Sequence, residues 1–250
     1  MTIKLSLKNI SLSIHSKERP ILENLSLKIY QSDFVILLGS NGSGKSSLIK
    51  VINGLSKPTS GTIYLEDIDI ANQPIHKRAQ SITTLTQDLN LSTFYHLTVL
   101  ENCLIALHRN KRVSFAISVK KMREQISCYL ASYSPKISAA LDEQVCSLSG
   151  GERQTLALAM TLYKTPSLLL LDEHTSALDP AMASKLMDLT SKITQEQSIT
   201  TLMTTHNLDD ALGYGNRLIV MRHGKLLHDF QEQEKKALTR ADLMSFYEGF

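Results

Sequence analysis

The chain has 250 residues, 42% of them hydrophobic, and a formal net charge of +3, a composition that supplies one large core or two small ones. The charge is small and spread along the chain, so charge alone favours neither a nucleic acid nor a membrane surface as a partner. No apolar run approaches the roughly 18 residues that a membrane-spanning helix needs, and the first residues lack a signal-peptide pattern.

Three segments near the N-terminus have the patterns of β-strands. Residues 3–7 and 25–29 alternate between apolar and polar side chains. This period of two predicts half-buried antiparallel strands. Residues 34–38 form an uninterrupted apolar run of strand length that ends at Gly39.

The stretch after this run has the pattern of a phosphate-binding loop. Residues 39–46 read G-x-x-x-x-G-K-S, and a helix is predicted directly after them. Glycines let backbone N–H groups converge on an anion without Cβ clashes, and a helix N-terminus adds partial positive charge. One face of the predicted helix carries Leu48, Val51, Ile52 and Leu55.

This loop predicts a site for a nucleotide and magnesium. Lys45 has the reach to contact the β- and γ-phosphates, and the Ser46 hydroxyl can bind Mg²⁺. The residues expected to hold the nucleotide here are Gly39, Ser40, Asn41, Gly42, Ser43, Gly44, Lys45, Ser46 and Ser47.

The pattern changes from strands to helices in the middle of the chain. Residues 61–65 and the short segment 83–87, which ends in Gln87, are predicted to be strands. From about 88 to 165 the apolar residues recur with helical spacing. We interpret this segment as a helical insertion between two parts of a strand-rich core.

Strand character returns at 167–171, a continuous apolar run typical of a fully buried parallel strand. A helix, a strand, a helix and a strand are predicted to follow at 180–194, 199–204, 208–212 and 218–221. This alternation predicts a parallel sheet. His223-Gly224 is a predicted hairpin turn.

Two adjacent carboxylates, Asp172 and Glu173, follow the buried run. The carboxyl edge of a parallel sheet is where α/β proteins bind ligands. In phosphoryl-transfer sites such an Asp holds Mg²⁺ or its water, and an adjacent Glu can polarise the attacking water. Beside a phosphate-binding loop, the pair therefore predicts a hydrolytic centre.

The stretch Leu-Ser-Gly-Gly-Glu-Arg-Gln at 148–154 has two interpretations. Ser149 and Glu152 fit a capping box at a helix start. Capping does not require two glycines directly after the serine, whereas two glycines let backbone amides approach a phosphate. Both interpretations can hold together.

This stretch resembles the signature motif of ATP-binding-cassette (ABC) ATPases, and the other motifs of that family surround it in the family's order. They are the Walker A loop at 39–46, the Q-loop Gln87, the Walker B strand at 168–172, Glu173, a D-loop at 176–179 and a switch His206. The resemblance implies a head-to-tail homodimer that holds each ATP between one subunit's Walker A loop and the other's signature. It implies no nucleic-acid partner.

The resemblance also implies roles for individual residues. Glu173 is the expected general base, His206 contacts the γ-phosphate and positions the water, and Gln87 senses the γ-phosphate. Ser46 and Gln87 are expected to bind Mg²⁺, with Asp172 supporting the metal. The residues expected to meet the partner subunit are Ser149, Gly150 and Gly151, which bind its ATP, and Asp179.

Two positions depart from the usual family pattern. His174 stands where most members carry Pro, and this D-E-H-T-x-A-L-D-P variant, with Tyr214–Arg217, resembles a bacterial importer subgroup. That subgroup pairs with a permease and a periplasmic binding protein, and some members are linked to aromatic amino acids. The second departure is Ile14, followed by His15, where the family places an aromatic residue that stacks on adenine.

ATP hydrolysis by this class of ATPases drives several different processes. DNA-repair members need a long coiled-coil insertion, and translation factors carry two cassettes, whereas this chain has one, with roughly one hundred residues between Lys45 and Leu148. A small-molecule P-loop kinase would not need the signature. Import through a separate permease dimer, docked at 88–102, is the preferred prediction. An ATPase of a separate-subunit exporter or of a lipoprotein-release system is the alternative.

The predicted fold class is α/β: a P-loop NTPase core with a mixed, mainly parallel sheet, an N-terminal antiparallel β subdomain and an inserted α-helical signature subdomain. Within a single domain of 1–250, residues 1–87 and 166–230 form the predicted RecA-like core, 88–165 the helical subdomain and 231–250 a short tail. Three cysteines without metal-ligand spacing are expected to be buried free thiols. The expected location is the cytoplasmic face of the bacterial inner membrane.

Overall fold

The computed structural model describes residues 2–13, 20–88, 92–108 and 119–248. The chain divides into two units. The first unit comprises Met1–Thr84, Pro166–Glu173 and Ser191–Phe250, and the second comprises Leu85–Thr165 and His174–Thr190.

The residues that the structure describes form ten β-strands and ten α-helices. The strands are β1 (Ile3–Leu12), β2 (Leu22–Tyr30), β3 (Phe34–Leu38), β4 (Ser60–Leu65), β5 (Ile68–Asp69), β6 (Ile82–Thr86), β7 (Leu168–Asp172), β8 (Thr201–Thr205), β9 (Arg217–Arg222) and β10 (Lys225–Phe230). The helices are α1 (Lys45–Asn53), α2 (Ile75–Arg78), α3 (Val99–His108), α4 (Val119–Ala131), α5 (Pro135–Ala139), α6 (Gly150–Leu162), α7 (Pro180–Glu196), α8 (Leu208–Gly213), α9 (Glu232–Ala237) and α10 (Arg240–Glu248).

Two sheets organise the strands. One is antiparallel, in the order β2-β1-β4-β5, and the alternating burial along β2 follows the predicted period of two. The other has the order β10-β9-β3-β8-β7-β6, with parallel pairs from β9 through β7 and an antiparallel β9–β10 hairpin. The predicted fold class, with its mixed and mainly parallel sheet, is confirmed.

The central parallel strands of this sheet are fully buried. Every residue of β3 and β8 is buried, as a strand covered on both faces requires. The predicted turn at His223-Gly224 is confirmed: Arg222 pairs with Lys225, and both turn residues have positive φ, 47° and 76°. Such φ values characterise the two-residue turns that match strand twist.

The second unit has its own hydrophobic core. Side chains from α3, α4, α5 and α6 form one buried cluster that includes Val99, Ile126, Leu130 and Leu156. The helical character predicted for 88–165 is thus confirmed for α3 to α6. Among the described residues, no helix combines the length and apolar character needed to cross a bilayer.

Several sequence predictions were wrong in detail. Leu55 does not share the buried face of α1, because the helix ends at Asn53, Gly54 follows in the left-handed region at φ 89°, and Leu55 is 62% exposed. The strand expected at 199–204 is β8, which begins two residues later. Of the cysteines, only Cys103 is buried; Cys128 and Cys146 are free but exposed. The short tail predicted at 231–250 carries two helices, α9 and α10, on which the sequence prediction was silent.

Candidate functional site

The carboxyl ends of three parallel strands bring the predicted motifs of the first unit together. Leu38 of β3 pairs with Thr205 of β8, and Asp172 of β7 pairs with Thr204. The phosphate-binding loop, the two carboxylates and His206 each follow directly from one of these strand ends. The sheet edge is therefore a single cluster of chemically active side chains.

The loop at 39–46 needs its glycines for shape. Gly42 and Gly44 have φ values of 82° and 106°, a region that side chains other than glycine rarely adopt. A Cβ on Gly39 would lie 2.5 Å from the carbonyl oxygen of Met221 and 2.6 Å from Ser43 Oγ. The loop is thus a narrow backbone cradle, of the size and polarity that suit a phosphate.

Lys45 is held inside this cradle, with a side chain only 4% exposed. Its Nζ donates hydrogen bonds to the carbonyl oxygens of Gly39 (2.7 Å) and Ser40 (3.2 Å). It also lies 3.2 Å from Glu173 Oε1. The ammonium group therefore joins the loop to the carboxylate that follows β7.

One carboxylate oxygen of Asp172 accepts hydrogen bonds from two hydroxyl groups. Ser46 Oγ donates to Oδ1 at 3.0 Å, and Thr204 Oγ1 donates to the same atom at 2.7 Å. Hard oxygen donors of this kind are the ligands that Mg²⁺ prefers, and the ion usually keeps waters and substrate phosphate oxygens in its remaining positions. Ser46 and Asp172 therefore fit the magnesium predicted from the sequence.

Glu173 has an unusual backbone conformation. Its φ is 47°, in the left-handed region, and its backbone N–H donates to Thr204 Oγ1 at 3.2 Å. Non-glycine residues in this region carry strain and cluster at functional sites. His206 Nδ1 lies 3.1 Å from Glu173 Oε2, so Lys45 and His206 contact opposite oxygens of one carboxylate.

A cavity of about 820 Å³ opens beside the loop. Gly42, Gly44 and Ser47 line it on one side, and the β9–β10 turn at Arg222 and His223 lines it on another. The turn contacts the loop directly, because the Gly224 N–H donates to the Ser43 carbonyl oxygen at 2.9 Å. The cavity offers room for the nucleoside of a nucleotide whose phosphates lie in the loop.

The signature stretch lies in the second unit, at the start of α6. Ser149 Oγ accepts from the Glu152 N–H, and Glu152 Oε2 accepts from the Ser149 N–H at 2.8 Å, which confirms the capping box. Lys136 Nζ lies 2.5 Å from the other Glu152 oxygen, and this pairing lowers the pKa of Glu152 to about 2. Glu152 is therefore ionised at neutral pH and fixes the helix start.

The predicted site residues are divided between the two units. Lys45, Ser46, Asp172, Glu173 and His206 come together within the first unit. Gln87, Ser149, Gly150, Gly151 and Asp179 belong to the second unit, where Asp179 Oδ1 accepts from the Met182 N–H at 3.1 Å and begins α7. Ile14 and His15 lie outside the described residues, as do 89–91 of the predicted docking segment.

Sequence reasoning missed Thr204 and the contact between the β9–β10 turn and the phosphate-binding loop. Thr204 positions both Asp172 and the Glu173 backbone, yet a threonine inside a strand has no distinctive sequence signal. The turn was predicted as a hairpin, but its contact with the loop depends on tertiary packing.

His174, the first departure from the family pattern, is a buried neutral histidine. Its side chain is 2% exposed, and Nε2 lies 3.4 Å from Thr190 Oγ1, which itself donates to the Leu186 carbonyl oxygen. Nδ1 has no hydrogen-bond partner in the described parts of the chain. Burial lowers the pKa of His174 to about 4, because a charged imidazolium is poorly solvated there.

This shift predicts acid sensitivity. Between the ordinary histidine pKa of 6.5 and about 4 the unfolded chain binds a proton that the folded chain does not, so stability falls as pH decreases through this window. The full loss is about 3 kcal/mol, at about 1.4 kcal/mol per pKa unit. Denaturant unfolding of the wild type and of His174→Gln at about pH 7.5, 6, 5 and 4 measures it, and we expect the variant to have the flatter profile. Identical pH profiles would contradict the assignment.

The geometry defines the protein first as a P-loop nucleotide-binding ATPase, since a strand–loop–helix cradle stands next to a paired carboxylate and a histidine. The family model described as "ABC transporter" matches residues 22–176. The chain belongs to the ABC transporter family, and it is one of that family's ATPases. Nucleotide binding follows from this membership.

Proteins with curated names and solved structures agree with this assignment. The chain is 40% identical, over 98% of both chains, to the "Tyrosine transport ATP-binding protein" of Clostridioides difficile. It is 36% identical, over 88% of its length and 87% of the relative's, to the "Thiamine import ATP-binding protein ThiQ" of Photobacterium profundum.

Two solved structures are similar over nearly the whole fold. One is the ADP conformation of MJ1267, an ATP-binding cassette of an ABC transporter. The match covers both chains completely, with a TM-score of 0.83 and 26% identity. The dimeric, post-hydrolysis structure of the cassette MJ0796, bound to ADP and Pi, gives a TM-score of 0.76 at 28% identity, covering 91% of this chain and 98% of the other.

Proposed function

We propose that this protein is the ATP-hydrolysing subunit of a bacterial importer, working on a separate membrane permease dimer at the cytoplasmic face of the inner membrane. The contact of Lys45 and His206 with opposite oxygens of Glu173 carries the hydrolytic part of the proposal. The import part is supported by the relatives, one named for tyrosine transport and one for thiamine import. A periplasmic substrate-binding protein is the expected third component.

In the proposed site the loop backbone from Gly39 to Ser47 holds the ATP phosphates. Lys45 exchanges its two carbonyl partners for phosphate oxygens, which suits a buried ammonium that is already desolvated. Ser46 and Asp172 would hold Mg²⁺. When bound, the ion neutralises charge that develops on the phosphates.

Glu173 is the proposed general base and accepts a proton from the attacking water. Its left-handed backbone and its hydrogen bond to Thr204 fix where the carboxylate points, as a positioned base requires. His206 contacts the same carboxylate and is exposed, so it is available to orient the water and the γ-phosphate.

The proposed active assembly is a head-to-tail homodimer. The dimeric structure of the similar cassette MJ0796 supports it. Ser149, Gly150 and Gly151 would bind the partner subunit's ATP, since the capping box leaves the amides at the start of α6 aligned along its axis. Asp179 would contact the partner at the start of α7.

The permease is proposed to dock on the segment 88–102, of which residues 92–102 are described. Phe94 is 55% exposed and His96 is also exposed, on a loop that a buried amide keeps in shape. That amide is Asn102, which accepts from the Phe94 N–H at 2.7 Å and donates to the carbonyl oxygens of Phe94 and Thr98 at 3.0 Å. An apolar residue presented by an ordered loop suits a protein partner.

The proposed cargo is an aromatic amino acid, tyrosine first. The similarity to a tyrosine transport protein over nearly the full length of both chains supports this choice. Purification of the tagged subunit with its permease, followed by reconstitution in liposomes, tests it. ATP-dependent accumulation of labelled tyrosine, with no accumulation of thiamine, is the expected result. Two results would contradict import. One is purification of the tagged subunit without any membrane subunit, and the other is ATP-driven movement of tyrosine only out of the compartment that should accumulate it.

The nucleotide base is expected to contribute little selectivity. A ring stacked on a base is worth roughly 1–3 kcal/mol and is not strongly base-selective, and Ile14 stands at the family's usual aromatic position. ATP and GTP should therefore bind within about tenfold, or roughly 1.4 kcal/mol, of each other. Calorimetric titration of the isolated subunit measures both. His15→Ala and Ile14→Tyr show whether His15 replaces the ring; a preference for ATP above about a hundredfold would contradict the expectation.

A further inference from the structure

The proposed docking loop is attached directly to the chain that enters the signature. The N–H of Val145 donates to the Leu97 carbonyl oxygen, and the N–H of Cys146 donates to the Tyr95 carbonyl oxygen, both at 3.0 Å. Thr98 and Gln144 form an isolated antiparallel bridge between the same two segments. A displacement of 95–98 is therefore passed to 144–146, three residues before the signature serine.

One side chain of this loop faces inward. Tyr95 is half-buried, whereas its neighbours Phe94 and His96 are exposed. The Arg153 guanidinium carbon lies 4.8 Å from the centre of the Tyr95 ring, a cation–π geometry. Arg153 belongs to the signature, and its backbone N–H donates to the Ser149 carbonyl oxygen at 2.9 Å in the first turn of α6.

The ring is an important constraint on this guanidinium. Arg153 Nε is buried and has no hydrogen-bond partner within the described ranges. An arginine with an orphaned buried nitrogen is easier to move than one in a complete hydrogen-bond network, because fewer bonds must break. Its position is then sensitive to where the Tyr95 ring lies.

We propose that Tyr95 and Arg153 are a positioning pair through which permease contact at 92–98 sets the start of the signature helix. The permease presses on Phe94 and His96, the Tyr95 ring shifts between them, and Arg153 carries the shift to Ser149 and Gly150. This inference rests on the proposed docking of a permease. It adds the residue pair that makes ATP hydrolysis depend on that docking.

A double-mutant cycle on the intact complex tests the pair. The membrane complex is isolated through a tagged copy of this chain, and the measured quantity is the stimulation factor, kcat of the complex divided by kcat of the isolated subunit. Tyr95→Leu and Arg153→Met are each expected to reduce this factor about tenfold, the scale of a partly desolvated cation–π contact. The double variant should be no worse than either single variant, because both remove one interaction.

Two controls separate positioning from a purely structural role. Tyr95→Phe keeps the ring and should keep most of the stimulation, even if Tyr95→Leu lowers the yield of folded protein. Phe94→Leu combined with Arg153→Met should cost no more than the larger single loss, because the permease contact at the exposed Phe94 ring acts on the signature through Arg153.

The outcomes distinguish this inference from the proposed function. If the wild-type subunit recovers no permease, the proposed function fails and the inference fails with it. If the complex forms but the Tyr95 and Arg153 losses are additive, or Tyr95→Phe behaves like Tyr95→Leu, the inference alone is overturned. The inference is also overturned if the kcat of the isolated subunit shows the same non-additivity between Tyr95 and Arg153. The pair would then stabilise the fold without responding to the permease.

Discussion

Glu173→Gln is expected to lower ATP hydrolysis by about 10²–10⁴-fold while ATP still binds, since loss of a positioned general base costs this much. The amide keeps the size of the side chain but cannot accept the proton of the attacking water. It also removes the ion pair with Lys45, whose Nζ lies 3.2 Å from Glu173 Oε1, so the ammonium is freer to meet phosphate. Steady-state phosphate release and nucleotide titration measure the two effects separately.

The same variant should accumulate an ATP-bound dimer, because binding proceeds and hydrolysis does not. Size-exclusion chromatography with and without ATP detects it. The matched control is Glu196→Gln, at the exposed end of α7 with a loose ion pair to Lys192 at 4.0 Å, which should hydrolyse ATP like the wild type. Near wild-type hydrolysis by Glu173→Gln would place the base elsewhere in the chain.

The site could be predicted from the sequence where its residues follow buried strands. The runs that became β3 and β7 end at the phosphate-binding loop and at Asp172, and parallel strands bring their carboxyl ends to one edge. Pairing through β8 then places His206 beside Glu173. Strand patterns and the parallel-sheet rule were enough to predict that the loop and the two carboxylates share one edge, whereas His206 was predicted only from the resemblance to ABC ATPases.

Other parts depend on tertiary packing that no local pattern encodes. The left-handed backbone of Glu173 is held by Thr204 on a neighbouring strand, and a β-strand threonine is common everywhere. Leu55 was wrongly assigned to the buried face of α1 because it continues the helical spacing, while Gly54 turns the chain away from the helix. Apolar spacing predicts where a helix runs better than where it ends.

The far end of α1 is stabilised by one buried arginine. Arg78 is 3% exposed and donates from Nη1 to the carbonyl oxygens of Val51 (2.8 Å) and Ile52 (2.9 Å). Its Nη2 and Nε donate to the carbonyl oxygens of Ala71 (3.0 Å) and Gln73 (3.2 Å). The last carbonyls of a helix have no partners within the helix, so this guanidinium satisfies groups that burial would otherwise leave unpaired.

Arg78→Met should therefore destabilise the fold strongly, by about 2–6 kcal/mol, the cost of leaving two buried carbonyl oxygens without donors at about 1–3 kcal/mol each. Methionine fills part of the volume but donates no hydrogen bond to the two buried carbonyl oxygens or to the two part-buried ones. Because α1 begins with Lys45, nucleotide affinity should fall together with stability. Urea unfolding, with and without ATP, measures both.

A matched control isolates the effect of burial from that of charge. Arg240→Met also removes an arginine and an ion pair, at 2.6 Å to Asp209, but both side chains are more than half exposed. Exposed pairs contribute little because water solvates the separated charges nearly as well. Arg240→Met should leave the unfolding midpoint and nucleotide affinity almost unchanged. Equal destabilisation by the two variants would mean that the cost at Arg78 comes from lost charge, and not from the unpaired carbonyl groups at the end of α1.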